Sequence, residues 1–313
     1  MAAIGVLAAC SATNAAVADL APNDWLTRMA GAVQSTSYEG TVIRVRNGKA
    51  EVLKVVHVVT DGVIREKVIV QEGNGLEIIR NGNEVHCILP DEQSVLVEEW
   101  NDQSTLFSTL PSSDIRFGSE YDVSIVRTER VAGRKAVLLA IRPHDEFRFG
   151  HRIWLDSLTG FPLQTRLVGD GGETIEQVKF ADISLDEEID SSALAPSIDT
   201  ENFRWLVNPK RNISHEVSTP WGSEDLPPGF RVISSHAETV SEGDEPLIHV
   251  LYSDGLANVS VFIEPAKGSI PASHSRVGGS NSFSTQFEGH QVTAVGEVPP
   301  RTVELIASSM RPN

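Results

Sequence analysis

From about residue 39 to 183, apolar and polar positions alternate with a period of two in one segment after another. That is the pattern of half-buried strands, whose successive side chains point to opposite faces. The segments fall at about 39–47, 50–60, 62–71, 75–80, 83–89, 93–98, 120–128, 134–142, 147–156, 161–169 and 173–183. Turn pairs separate many of them: Asn47-Gly48, Asp61-Gly62, Asn81-Gly82, Ala132-Gly133 and Asp170-Gly171. Two-residue turns of this kind join antiparallel neighbours. The pattern therefore predicts one large, strongly curved sheet or unclosed antiparallel half-barrel. "HRIWLDSLTGFPLQTRLV", residues 151–168, shows it clearly. Ile153 and Leu155 lean one way and Arg152, Trp154 and Asp156 the other, and after the turn Phe161, Leu163, Thr165 and Leu167 share a side.

Three stretches depart from this period. "PNDWLTRMAGAVQST" reads as a helix that Asn23 can cap, with Trp25, Met29, Ala32 and Val33 on one side. Residues 101–119 hold "STLFSTLPSSD", a helical or irregular insert expected to lie against the sheet. Residues 190–220 are polar and proline-bearing and read as a linker with a short apolar contact at Phe203-Trp205-Leu206. The large β domain thus spans 19–189, and a smaller α+β antiparallel-sheet domain spans 221–313. Its strands are expected at about 229–236, 246–253, 256–264, 281–288 and 290–297. "PPRTVELIASSM" closes it as a helix, with Val303, Ile306 and Met310 on one stripe. The fold class is mainly β with α.

Composition narrows the function. The 313 residues are 40% hydrophobic, enough for a real core. Acidic residues outnumber basic ones 43 to 26, a net charge of −17. Nucleic-acid binding needs clustered Lys and Arg, so that class is excluded. Unaided adhesion to an anionic membrane is disfavoured, although a lipid held in an apolar pocket is not. Residues 2–9, "AAIGVLAA", form a short apolar run, and "AVAD" at 16–19 offers a small-x-small cleavage site after Ala18. Residues 1–18 are therefore expected to be a signal peptide lacking its usual basic start, with a lipoprotein cleavage box ending at Cys10 as the minority reading. Cleavage after Ala18 would leave Cys87 as the one thiol, without a structural disulfide.

Catalytic signatures are missing. There is no G-x-S-x-G elbow, Walker A loop, G-x-G-x-x-G or H-E-x-x-H, and no Cys/His spacing suits zinc. The "GDGGE" glycines at 169–173 join two strands, which makes them a turn and not a phosphate cradle. Asp145 and Glu146 are adjacent, and neighbours on a strand point apart, so they are no acid/base pair. No enzyme, cofactor, metal site or catalytic residue is expected. The informative feature is the apolar faces: Tyr121, Val123 and Ile125; Phe147, Phe149, Ile153 and Leu155; Phe161, Leu163 and Leu167. They read either as core beneath a helix or as the wall of a cavity for an acyl chain.

The stretch 121–180, "YDVSIVRTERVAGRKAVLLAIRPHDEFRFGHRIWLDSLTGFPLQTRLVGDGGETIEQVKF", resembles the MucB/RseB family of periplasmic regulators of the extracytoplasmic (sigma-E/AlgU-type) sigma-factor response. "LPPGF" (226–230), "YSDGLANVSVFIEP" (252–265) and "VTAVGEVPPRTVELIASSMRP" (292–312) resemble that family's C-terminal domain. The resemblance is nearer to its MucB side. It implies a large domain similar to the lipoprotein carriers LolA and LolB. It also implies that the small domain supplies most of the docking onto the periplasmic part of a transmembrane anti-sigma factor of the MucA/RseA kind. Docking would shield that factor from regulated proteolysis, and lipid or lipopolysaccharide would release it, with exopolysaccharide production downstream. A homodimer is compatible with the family. On this reading the acyl-chain wall is Phe147, Phe149, Ile153, Leu155, Phe161 and Leu163, and the exposed-looking loops nominate Phe230, Tyr252 and Phe262 for partner contact. The protein would be soluble in the periplasm. The alternative is a lipoprotein or lipid carrier of the LolA/LolB type, which would be complete near residue 190.

Overall fold

Hairpin turns set the topology. Asn47-Gly48 and Asp61-Gly62 take positive φ at both positions (52° and 72°, 51° and 76°). This is the mirror-image turn whose twist matches that of flanking strands. The computed structural model describes residues 20–99, 106, 110, 119–185, 188–207, 212–214, 221–239 and 246–312. Helix α1 (Pro22–Ser35) leads into β1 (Tyr38–Arg46), β2 (Lys49–Thr60), β3 (Val63–Val70), β4 (Glu77–Asn81), β5 (Glu84–Leu89) and β6 (Ser94–Glu99). Then come β7 (Tyr121–Val131), β8 (Arg134–Pro143), β9 (Gly150–Asp156), β10 (Pro162–Val168), β11 (Thr174–Leu185) and β12 (Arg204–Val207). These twelve strands form one sheet in the order β12-β6-β5-β4-β3-β2-β1-β11-β10-β9-β8-β7. Two antiparallel meanders meet where β1 pairs with β11. The end strands β12 and β7 do not pair, so the expected unclosed sheet is what forms.

Helix α1 fills the hollow of this sheet. It starts with proline at its first position, where a missing N–H costs nothing. The cap is Ala21, whose N–H is accepted by Asp24 (3.2 Å), so Asn23 lies within the first turn and is not the cap expected from the sequence. Its Trp25, Leu26 and Met29 pack against Leu139, Ile141, Ile153 and Leu155. Alongside, Tyr38, Val42, Leu53, Phe161, Leu163 and Phe180 form a second cluster with Ala32. Full burial of each large side chain stabilises by roughly 1.5–3 kcal/mol. The turn after β9 is tied to the helix as well, for Arg28 donates to the Leu158 carbonyl. Asp156 holds that turn by accepting from the N–H groups of Leu158 and Thr159 (both 2.9 Å).

Three expectations change. Residues 144–149 bend before β9 begins at Gly150, so 147–156 is not one strand. The segment 188–207 is not a free linker, because it is stitched to the large sheet. Lys67 donates to the Ala195 carbonyl (2.5 Å) and the Ser197 hydroxyl (2.7 Å), and β12 runs parallel to β6. Met310 lies beyond α2 (Pro300–Ser308), not on its stripe. The signal segment, Cys10 and most of 101–119 lie outside the described residues. Leu106 and Leu110, which are described, pack on the core as an insert against the sheet should. Among the described residues no helix is long and apolar enough to cross a membrane.

The small domain holds β13 (Asn212–Ser214), β14 (Trp221–Ser223), β15 (Arg231–Thr239), β16 (Leu247–Ser253), β17 (Asn258–Pro265), β18 (Ser273–Val277), β19 (Ser280–Phe287), β20 (His290–Gly296) and β21 (Met310–Pro312). Seven of these form a sheet in the order β13-β15-β16-β17-β20-β19-β18, while β14 pairs with β21. Val303, Ile306 and Ala307 of α2 share a core with Val250, Tyr252, Val261, Ile263, Phe283 and Val292.

Candidate functional site

The two domains meet at a buried polar joint. The bend before β9 carries Arg148, whose side chain is 0% exposed. Its guanidinium pairs with Asp254 of the small domain (2.9 Å) and Asp145 (3.2 Å), and donates to the Pro228 carbonyl. It lies 5.2 Å from the ring centroids of both Tyr121 and Phe230, one from each domain. Tyr121 donates its hydroxyl proton to Asp254 (2.8 Å). The other oxygen of Asp254 accepts from the N–H groups of Leu256 and Ala257 (2.9 and 2.7 Å). Donors and a cation thus surround both oxygens of this buried carboxylate, which compensates the loss of water. Burial, and then the Asp254 charge, push the Tyr121 hydroxyl well above its ordinary value.

Around this pair the joint is apolar. Leu256 enters the large-domain cluster of Trp25, Met29, Tyr121 and Ile153. Thr302, in the first turn of α2, donates to the Phe147 carbonyl (2.6 Å), and Arg301 pairs with Glu146. His151 faces the same region, and burial draws its imidazole down to about 4, with only Asp254 opposing. A second contact lies farther along, where Glu176 of β11 accepts the Gly279 N–H (2.6 Å) and pairs with Arg46 (2.9 Å).

The structure redistributes the residues picked from sequence. Ile153 and Leu155 face α1, whereas Phe161 and Leu163 join the Tyr38–Phe180 cluster. Phe149 is buried and Phe147 half-buried, but both sit in the bend with Arg148 between them, so they do not continue the Ile153 face as strand residues. A cavity of about 500 Å³ lies elsewhere, lined by Arg142, His144, His151 and Arg152 among others, and none of the six lines it. Phe230 and Tyr252 are not surface groups, since Phe230 packs under Arg148 and Tyr252 is fully buried, its hydroxyl accepting from the Ser223 N–H (3.0 Å). Phe262 lies half-buried and stacks on His249 (4.5 Å). The loops 227–230 and 252–256, expected to await a partner, instead lie at the domain joint. Sequence reasoning missed Arg148, Tyr121 and Asp254 as a unit. The one available signal was an arginine flanked by two phenylalanines, Phe147 and Phe149.

The comparison with known families matches both halves in this order. The description "MucB/RseB N-terminal domain" covers residues 21–198 and "MucB/RseB C-terminal domain" covers 215–311. The chain belongs to the MucB/RseB family. Among MucB/RseB relatives, the sigma factor AlgU regulatory protein MucB of Pseudomonas aeruginosa is 33% identical, over 99% of this chain and 95% of that protein. The sigma-E factor regulatory protein RseB of Escherichia coli K12 is 26% identical over 91% of this chain and 89% of its own. A crystal structure of MucB in complex with periplasmic MucA superposes with a TM-score of 0.70 and 31% identity, covering 94% of this chain and 99% of that one. A crystal structure of MucB gives 0.64 and 30%, over 93% and 98%. Among the described residues no group of three or more His, Cys, Asp or Glu is arranged to hold a metal.

Proposed function

We propose that this chain is a periplasmic regulatory protein that binds the periplasmic segment of a transmembrane anti-sigma factor and guards it from proteolysis. The likeness across both domains to MucB in complex with periplasmic MucA carries this reading. A half-barrel carrier would have no use for the small domain, and the family match through 215–311 speaks against that alternative. The binding surface would be bounded by both domains, since the Arg148 joint fixes their mutual orientation. The acyl-chain part of the reading places lipid on the Ile153–Leu163 wall. Helix α1 occupies that wall here, so lipid entry would have to displace Trp25 and Met29. Domain displacement would then follow, because Leu256 shares the same cluster.

The test is calorimetric titration of the full chain with the purified periplasmic segment of its cognate anti-sigma factor. Micromolar or tighter binding, weakened by added lipid, is expected. Linkage then requires the segment to weaken lipid binding by the same factor. Binding no tighter than that of a scrambled segment would sink the partner reading, and lipid without effect would sink the sensing reading alone.

A further inference from the structure

The second contact between the domains is built from like charges. Glu176 and Glu297 belong to different domains and line one cavity of about 40 Å³, together with His151, Arg166 and Leu167. Gly279 lies between the two acids. Its N–H is bound by Glu176 at 2.6 Å, and a Cβ there would stand 3.2 Å from Glu297 Oε1. Among the described residues, the nearby cations are engaged by other groups or uncharged. Arg46 pairs with Glu176, and Arg166 lies over the Trp154 ring (5.0 Å) while donating to Gln177 (2.7 Å). His151 is held neutral by burial. Among the described residues no cation forms an ion pair with Glu297.

We propose that Glu297 is a proton-operated catch on the domain junction. Protonated, it lets the Gly278-Gly279 turn rest against Glu176. Ionised, it sets two carboxylates against each other and loosens this contact, while the Arg148 joint stays closed. Burial first, and then the Glu176 charge, push the Glu297 carboxyl up to about 7, with Arg46 opposing. The ordinary value is 4.5, so the closed junction holds this proton more tightly than an opened one. Closure is therefore favoured by acid and is lost as pH rises through about 7. A fall of one pH unit across that range would shift the local equilibrium by up to about tenfold.

The experiment uses the full chain, uniformly labelled, over pH 4 to 9. Side-chain carboxyl resonances report the titration of Glu297, and exchange of the Gly279 amide, corrected for the chemical pH dependence of exchange, reports the contact. Glu297 should titrate near neutrality, and Gly279 should lose about tenfold or more of its protection between the acid and alkaline limits. Glu297→Gln should keep protection flat with pH. Glu176→Gln, which retains an acceptor for Gly279, should move the Glu297 titration back toward ordinary carboxyl values. If Glu297 titrates in the ordinary range, or protection in E297Q falls as it does in wild type, the proposal is wrong. Should E297Q fail to fold, the E176Q titration decides by itself.

Discussion

The domain junction has two halves built on opposite electrostatic rules. At one, Arg148 and Asp254 place opposite charges in contact and exclude water. At the other, Glu176 and Glu297 place like charges around one glycine. The first is fully buried and the second only partly, and burial acts on them differently. A carboxylate that meets a cation has its desolvation offset, whereas one that meets another carboxylate favours binding a proton. The first half therefore fixes geometry, and the second responds to pH. A joint that must hold an orientation and still yield under a signal has use for both.

Breaking the matched half should have the largest effect. Arg148→Met leaves Asp254 buried without its cation, a loss of about 3–5 kcal/mol. Urea denaturation should show it, and pairing the change with Asp254→Asn should recover a large part, as expected for coupled residues. A cost below about 1 kcal/mol would mean that the joint is not holding the domains. Leu256→Ala empties a place in the core of the other domain and should cost about 2–3 kcal/mol by the same measurement. His151 sharpens the contrast from the acid side. Its folded value of about 4 lies below its ordinary 6.5, so the unfolded chain takes up a proton that the folded chain refuses. Stability should therefore drop as pH falls from about 6.5 to 4, by up to about 2 kcal/mol, and His151→Gln should remove that slope. The smallest effect belongs to Cys87, a free and half-buried thiol. Burial, and then the Glu98 charge, push the thiol above its ordinary value and disfavour the thiolate. Cys87→Ser should change stability by less than about 1 kcal/mol, and alkylation of the native chain at neutral pH should be slow.

Much of the fold was legible because strands and tight turns are local. Asn47-Gly48 and Ala132-Gly133 turn where their positive φ is required, and the strands around them fall within a few residues of the expected bounds. In β16 and β17 alternation turns Tyr252 inward with Val250, and Phe262 away from Val261 and Ile263. Nominating Tyr252 for partner contact set that signal aside. What stayed hidden depends on distant partners. Phe147 and Phe149 imitate alternation, but the bend follows Arg148 toward Asp254, a pairing 106 positions away that no local pattern encodes. Two strands escaped for other reasons: β18 is exposed throughout and has no apolar face to advertise, and β12 is a four-residue apolar run without alternation. Like charges meeting across domains, as at Glu297, leave no mark in either domain's own sequence.

The parallel strand β12 limits how far the small domain can travel. It ends at Val207 on the large sheet, and β13 opens the small sheet at Asn212. Four residues span that gap, 208 to 211, and five backbone steps reach about 18 Å at full stretch. If both halves of the junction let go, the small domain stays leashed at that radius. Re-docking is then a unimolecular event at an effective concentration on the order of millimolar. A ligand acting on this junction need not compete with free diffusion. It must only outlast a rapid local return, which makes the dwell time of the open form, more than its population, the quantity that a signal can use.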